Sequence, residues 1–171
     1  MANPLYGQNK ADDAVDWAKN LTSGNVYGTV AVAGANTQYG AAATPMSKDL
    51  MNRTIVNGHA DGLDVFLPAV SAADAGMWLR VVVGVTNTTA IIITAATGDP
   101  LVGNIISTKA TDAVANAAYF ASDGSDLIFT MNGGTTGGLI GSEVLFQVNK
   151  DGYWMVSGNL NGSGTLATSF S

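Results

Sequence analysis

Long stretches without a single charged residue limit what this chain can become more than any other feature of its sequence. Residues 20–47, 81–98, 127–142 and 152–171 contain no Asp, Glu, Lys or Arg. Charged residues make up 12% of the 171 positions, about half of the roughly 25% found in soluble globular domains. These stretches include whole strands and loops, with both strand faces uncharged. We therefore predict that much of the surface contacts protein rather than water, as in a closed homo-oligomer or a lattice.

The charge balance and the residue inventory exclude several classes of protein. The chain is acidic, with a net charge of -6, and lacks the basic surface that binding to nucleic acid requires. It has no cysteine, which excludes disulfides, thiolate nucleophiles and cysteine-ligated metals. The most apolar stretch, Met77–Val85, is interrupted by Arg80 and is far shorter than the ~20 residues that span a bilayer. The start of the chain lacks the pattern of a signal peptide. We expect neither a nucleic acid nor a membrane as partner, and synthesis in a cytosol-like compartment.

The first 53 residues differ from the rest, and we interpret residues 1–53 as an N-terminal arm. Acidic residues at its start and Lys19 behind them favour a short helix near residues 12–19. The uncharged stretch that follows contains several glycines. Disordered tails are usually rich in charge and poor in apolar residues, and this stretch is neither. An extended arm that becomes ordered against neighbouring molecules is therefore favoured over a flexible tail.

Four aromatic residues lie in this arm: Tyr6, Trp17, Tyr27 and Tyr39. Aromatic side chains on a weakly charged segment are typical of interface anchors. We predict that these four contact a partner surface or another copy of the chain. Exposed stacking platforms for sugars are the alternative.

Residues 54–171 show the pattern of a β-rich domain. Met77–Val85 and Thr89–Thr94 are rich in β-branched residues and predict a hairpin buried on both faces near its middle. Glu143–Val148 and Tyr153–Val156 predict a second hairpin, joined by a turn that ends in glycine. About eight to ten short strands at this spacing predict an all-β fold, a single β-sandwich or β-barrel (β-tulip-like) domain.

Two shorter patterns add detail to this domain. Ser71–Asp74 has the spacing of a capping box and predicts one helical turn before the next strand. Residues 165–168 predict a final short strand after a turn-rich link.

No constellation of residues indicates catalysis or a metal site. His59 is the only histidine, and with Asp61 and Asp64 it fits solvated turn residues better than a metal site, which needs more imidazole or thiolate ligands. The loop 133–138 is glycine-rich but lacks the Lys-Ser/Thr of a phosphate-binding loop. Asp123–Asp126 offers oxygen ligands at short spacing but lacks the invariant glycine position and the distal glutamate of the twelve-residue calcium loop. We expect a non-enzymatic protein without catalytic residues, cofactor or metal.

Short motifs in the β-rich part resemble a known family. They are Asp64–Pro68 (DVFLP), Gly76–Gly84 (GMWLRVVVG), Gly98–Gly103 (GDPLVG) and the ending Val144–Gly158 (VLFQVNKDGYWMVSG). In this order they resemble elements of virion structural proteins of tailed phages, particularly marine ones, that look like capsid decoration (cement) proteins. The resemblance spans about residues 60–160 and leaves the arm uncovered.

This resemblance implies a function. It implies a homotrimeric protein on the capsid exterior of the virion that binds the major capsid protein and stabilises the head by bridging capsid subunits. A tail or fibre module that recognises a surface glycan through Trp and Tyr platforms is the alternative hypothesis.

Overall fold

Alternating apolar and polar residues build two β-sheets, as described by a computed structural model for residues 30–33, 37–109 and 116–171. In chain order the strands are Val30–Ala33 (β1), Thr37–Tyr39 (β2), Arg53–Asn57 (β3), Leu63–Phe66 (β4), Trp78–Val83 (β5), Ile91–Thr94 (β6), Leu101–Lys109 (β7), Ala117–Ala121 (β8), Ile128–Met131 (β9), Glu143–Val148 (β10) and Trp154–Gly162 (β11). Two short 3-10 turns, Lys48–Leu50 and Ala72–Asp74, complete the regular elements of the described residues.

The strands divide into a large sheet and a small sheet, both of mixed direction. The large sheet has seven strands in the order β1-β3-β5-β10-β11-β7-β8, and the small sheet has four in the order β2-β4-β6-β9. In the large sheet β10 pairs antiparallel with β5 and β11, while β11 pairs parallel with β7. In the small sheet β4 and β6 are parallel, and β9 is antiparallel to β6.

The core lies between the inner faces of the two sheets. Phe146 from the large sheet and Phe129 from the small sheet are fully buried and meet edge to face with ring centroids 5.6 Å apart. Phe170, near the C-terminus, packs on the other side of Phe129 at 5.2 Å. Burial of large apolar side chains is the main stabilising contribution in such a core. The predicted all-β class is confirmed, with two packed sheets that form a sandwich.

Part of the predicted N-terminal arm lies within the described residues. Strand β1 pairs with β3 in the large sheet, and β2 pairs with β4 in the small sheet. Strands therefore begin well before residue 54, and residues 37–53 connect the two sheets. Residues 1–29 and 34–36, including the predicted helix near 12–19, lie outside the described residues.

The C-terminal hairpin is confirmed, but the predicted hairpin of Met77–Val85 with Thr89–Thr94 is wrong. Strands β5 and β6 belong to different sheets. Each buries only every second residue, so both strands contribute one face to the core from different sheets and do not share a ladder of hydrogen bonds. Their β-branched composition favoured strands but carried no information about the pairing partner.

The helical turn at Ser71–Asp74 is confirmed, and the final strand at residues 165–168 is wrong. The Asp74 carboxylate accepts hydrogen bonds from the Ser71 N–H at 2.9 Å and the Ser71 hydroxyl at 3.0 Å, as in a capping box. At the C-terminus β11 continues to Gly162, through the predicted link. The later contact with a sheet is an isolated bridge between Phe170 and Phe129. Across the described ranges, no helix is long and apolar enough to cross a membrane.

Candidate interaction surface

The outer face of the large sheet points away from the core. Successive residues of a strand point to opposite sides of a sheet. The residues that alternate with the buried ones therefore form this face. Here "the outer face" means the outward side chains of the five strands from β5 to β8 in the sheet order. They are Trp78, Arg80, Val82, Val102, Asn104, Ile106, Thr108, Ala117, Tyr119, Ala121, Glu143, Leu145, Gln147, Met155, Ser157, Asn159 and Asn161.

The outer face carries almost no charge. Arg80 on β5 and Glu143 on β10 are its charged members, and they form a salt bridge with each other. The remaining side chains are neutral amides, hydroxyls and apolar groups. The outer face is therefore electrically neutral, although the whole chain has a net charge of -6.

A shallow groove of about 480 Å³ crosses the middle of this face. Arg80, Glu143, Asn104, Ser157 and Asn159 supply its polar rim, and Ile106 and Leu145 supply apolar floor. Such a groove offers hydrogen-bond donors and acceptors beside apolar surface, which suits contact with another polypeptide or a neutral polar ligand.

Large apolar side chains are exposed on the edge strand β8 and on the central strand β11 of the face. Tyr119 on β8 is 76% exposed and Met155 on β11 is 43% exposed. Among the described strands β8 is the last one of the large sheet, and Asn104, Gln147 and Ser157 are also exposed on the face. An exposed, neutral and partly apolar surface of this kind is typical of a site of protein association.

A buried polar network fixes the edge of the sandwich next to the glycine-rich loop. Asn57 donates its amide N–H to Asn87 Oδ1 at 2.8 Å, and the Asn87 N–H donates to the Gly138 carbonyl at 3.0 Å. Gly138 in turn donates to the hydroxyl of the buried Ser142 at 3.2 Å. A Cβ on Gly133 would lie 2.1 Å from the Asn87 carbonyl oxygen. Gly133 and Gly138 of this loop thus allow close packing against Asn87.

Of the four predicted interface residues, the structure describes Tyr39. Its ring lies on β2 and packs against the core of its own sandwich, half-buried. Burial raises the pKa of the Tyr39 phenol, and the nearby Arg53 guanidinium partly opposes that rise. Tyr6, Trp17 and Tyr27 lie outside the described residues, so their role stays a prediction.

His59 and Asp123, two of the side chains considered for metal binding, have hydrogen-bond partners close by in the chain. His59 Nδ1 lies 3.2 Å from an Asp61 carboxylate oxygen and accepts the Asp61 N–H. Asp123 accepts hydrogen bonds from the Ser125 N–H and hydroxyl at 2.8 and 2.7 Å. These two bonds lower the pKa of the Asp123 carboxyl. No group of three or more His, Asp or Glu side chains in the described part is arranged to hold a metal ion.

The sequence carries a signal for the outer face, although no local motif marks it. The signal is the absence of charge at alternate strand positions, the ones that a strand with a water-facing side fills with polar and charged residues. The comparisons with protein-family models, curated proteins and solved structures give no match to this chain.

Proposed function

We propose that this chain is a virion structural protein, a capsid decoration (cement) protein of a tailed phage. It binds the outside of the head and stabilises the shell by bridging neighbouring capsid subunits. Its partners are the major capsid protein and further copies of itself, as a homotrimer, on the capsid exterior.

The neutral outer face is the observation that carries this proposal. A face of five strands with one internally paired Arg–Glu couple costs little to dehydrate, because few ionic groups lose water on contact. Mixed amides, hydroxyls and aliphatic groups are typical of interface surfaces. Many such contacts, each weak, combine to give avidity when copies are held on one lattice.

The test is reconstitution on phage heads that lack this protein. Heads mixed with the purified chain are sedimented, and the pellet is examined for the chain and by electron microscopy. We expect the chain to coat the heads and to raise their thermal disruption temperature. Heads that stay bare at saturating protein concentration would overturn the proposal.

The contribution of the N-terminal segment is tested by truncation after residue 29. A longer deletion, of residues 1–40, would also remove β1 and β2 and so disturb both sheets. Removal of residues 1–29 tests Tyr6, Trp17 and Tyr27 while every described strand is kept. We expect a folded protein that has lost most of its binding to heads.

A second candidate function is recognition of a neutral surface glycan by a tail or fibre module. The groove favours it, since Asn104, Ser157 and Asn159 supply amide and hydroxyl groups that suit sugar hydroxyls. A glycan array probed with the chain and with Asn104→Ala separates the two functions. Selective binding that this substitution abolishes, together with bare heads, would favour the glycan-binding module.

A further inference from the structure

We infer that strand β8 is a self-association edge: two copies of this chain join their large sheets by antiparallel pairing of β8 with β8. The inference deepens the self-association part of the proposed function. It names the residues in contact and the register in which they meet.

The free edges of the two sheets differ in how they are protected. In the small sheet, β9 is covered by the C-terminus: Thr130 donates to the Ser169 carbonyl at 2.8 Å, and Ile128 and Ser171 exchange two bonds. The opposite edge, β2, has three residues, and β1 of the large sheet has four. These two strands and β8 all contain no charge, proline or glycine, and β8, with five residues, is the longest of the three. Proteins normally protect exposed edges with charge, proline or a covering segment, and among the described residues β8 has none of these.

The alternation of hydrogen-bonded pairs along the β7–β8 ladder shows which backbone groups of β8 are free to bond to a further strand. At the two ends of the β7–β8 ladder, Lys109 donates to the Asn116 carbonyl at 2.9 Å and Ser122 donates to the Gly103 carbonyl at 3.0 Å. Hydrogen-bonded pairs alternate along an antiparallel ladder. Ala118 and Phe120 therefore bond to β7, while Ala117, Tyr119 and Ala121 turn their N–H and C=O groups away from it.

An antiparallel copy centred on Tyr119 satisfies all of these groups. Tyr119 pairs with Tyr119 of the second copy and Ala117 pairs with its Ala121, which gives about six hydrogen bonds. On the inner side, each Phe120 lies opposite the small Ala118 of the other copy. On the outer side, the two Tyr119 rings lie next to each other and beside Ile106, their neighbour on β7. No like charges meet anywhere along the strand, so the edge is complementary to itself in both size and charge.

The contact is isologous, so it joins copies two at a time. In a decorated shell of homotrimers it would connect neighbouring trimers across local twofold axes, separately from the contacts that hold one trimer together.

Site-directed cross-linking of the full chain tests both the contact and its register, because the chain has no native cysteine. Paired residues of adjacent strands have Cβ atoms about 4.5–5.5 Å apart, within reach of a short bis-maleimide. We expect Tyr119→Cys to cross-link with itself. We also expect a mixture of Ala117→Cys and Ala121→Cys to cross-link far more than either variant alone, since like positions then lie about 14 Å apart along the strands. Tyr153→Cys, at a 44% exposed tyrosine outside β8, measures the background.

The inference would be overturned if Tyr119→Cys cross-links no more than the Tyr153→Cys background. It would also be overturned if the mixture of Ala117→Cys and Ala121→Cys cross-links no more than either variant alone. The mixed pair keeps Tyr119, so a negative result there cannot be blamed on the loss of that ring. Adding Tyr119→Lys to the mixed pair should abolish the cross-link, while adding Tyr153→Lys, the same change of charge elsewhere, should not. Failure here and failure of the proposed function are distinguishable, because single copies that do not pair can still coat heads.

Discussion

Asn87 shows how single polar residues tie the two sheets together. Its side chain accepts from Asn57 on β3 of the large sheet and donates to the Met131 carbonyl on β9 of the small sheet, at 2.8 and 3.4 Å. Asn87 is 3% exposed and Asn57 is fully buried. A buried amide that loses its hydrogen-bond partner is not rehydrated, so the fold is destabilised by the free energy of burying an unpaired polar group. Removal of either side chain of this bridge should therefore lower the stability of the fold.

Replacement of Asn87 by alanine is expected to lower the free energy of unfolding by about 1–3 kcal/mol, because the Asn57 amide is then left buried without its acceptor. Urea unfolding followed by circular dichroism measures the change. Asn159→Ala is the matched control, since Asn159 is exposed on the outer face, and we expect it to change stability by less than about 0.5 kcal/mol. Equal losses for the two variants would contradict the role given to Asn87.

Gly152 tests the importance of a close approach between elements. It has a φ of 85° in the turn between β10 and β11, and a Cβ there would lie within 2.8 Å of the Ser71 and Ala72 backbone. Gly152→Ala therefore incurs both left-handed backbone strain and a clash. Gly98→Ala is the matched control, because Gly98 has a φ of 94° and open space around its Cβ position. We expect Gly152→Ala to be about 1–3 kcal/mol more destabilising, measured by urea unfolding, and a smaller loss than for Gly98→Ala would contradict this packing.

At the scale of elements, the two 3-10 turns are held together by an ion pair. Lys48 Nζ lies 2.8 Å from the Asp74 carboxylate. The hydrogen bond from Lys48, followed by that from the Ser71 hydroxyl, lowers the pKa of the Asp74 carboxyl. A carboxyl with a lowered pKa in the folded state stabilises the fold above its unfolded-state pKa, and this contribution is lost as the pH falls through the folded-state pKa.

Asp74→Asn is thus expected to be less stable than the parent chain at neutral pH, with a difference that shrinks as the pH falls below about 4. Urea unfolding at a series of pH values measures it. A difference that stays constant down to the acid limit would show that the carboxylate charge makes no contribution.

The elements also show how far the sequence alone could lead. The C-terminal hairpin was predictable because its turn, Asn149–Gly152, is local and its strands alternate cleanly. The partner of β5 was not predictable, since parallel pairing with β3 and antiparallel pairing with β10 depend on residues far apart in the chain. The sequence indicated the outer face only through its uncharged stretches, which predicted a surface in contact with protein but not its location. Its groove and the free edge of β8 depend on the strand order, which alternation does not encode.

At the scale of the whole molecule, we expect a new charge on the outer face to weaken assembly and leave the fold intact. Ser157→Lys places a second cation beside Arg80 in the groove, where Glu143 is already paired with Arg80 and contact with a partner would bury the excess positive charge. We expect an unfolding free energy within about 0.5 kcal/mol of the parent and a marked loss of binding to heads by co-sedimentation. Ala69→Lys, exposed in the loop that follows β4 of the small sheet, should bind as the parent chain does. Undiminished binding of Ser157→Lys would remove the outer face from the contact.

Sedimentation equilibrium of the full chain over a wide range of concentration tests most directly whether this neutral surface is made for association. We predict an average mass that rises with concentration from 17.4 kDa to a multiple of that value, and that Tyr119→Lys shifts the rise to higher concentration. A mass of 17.4 kDa at every concentration would contradict the account.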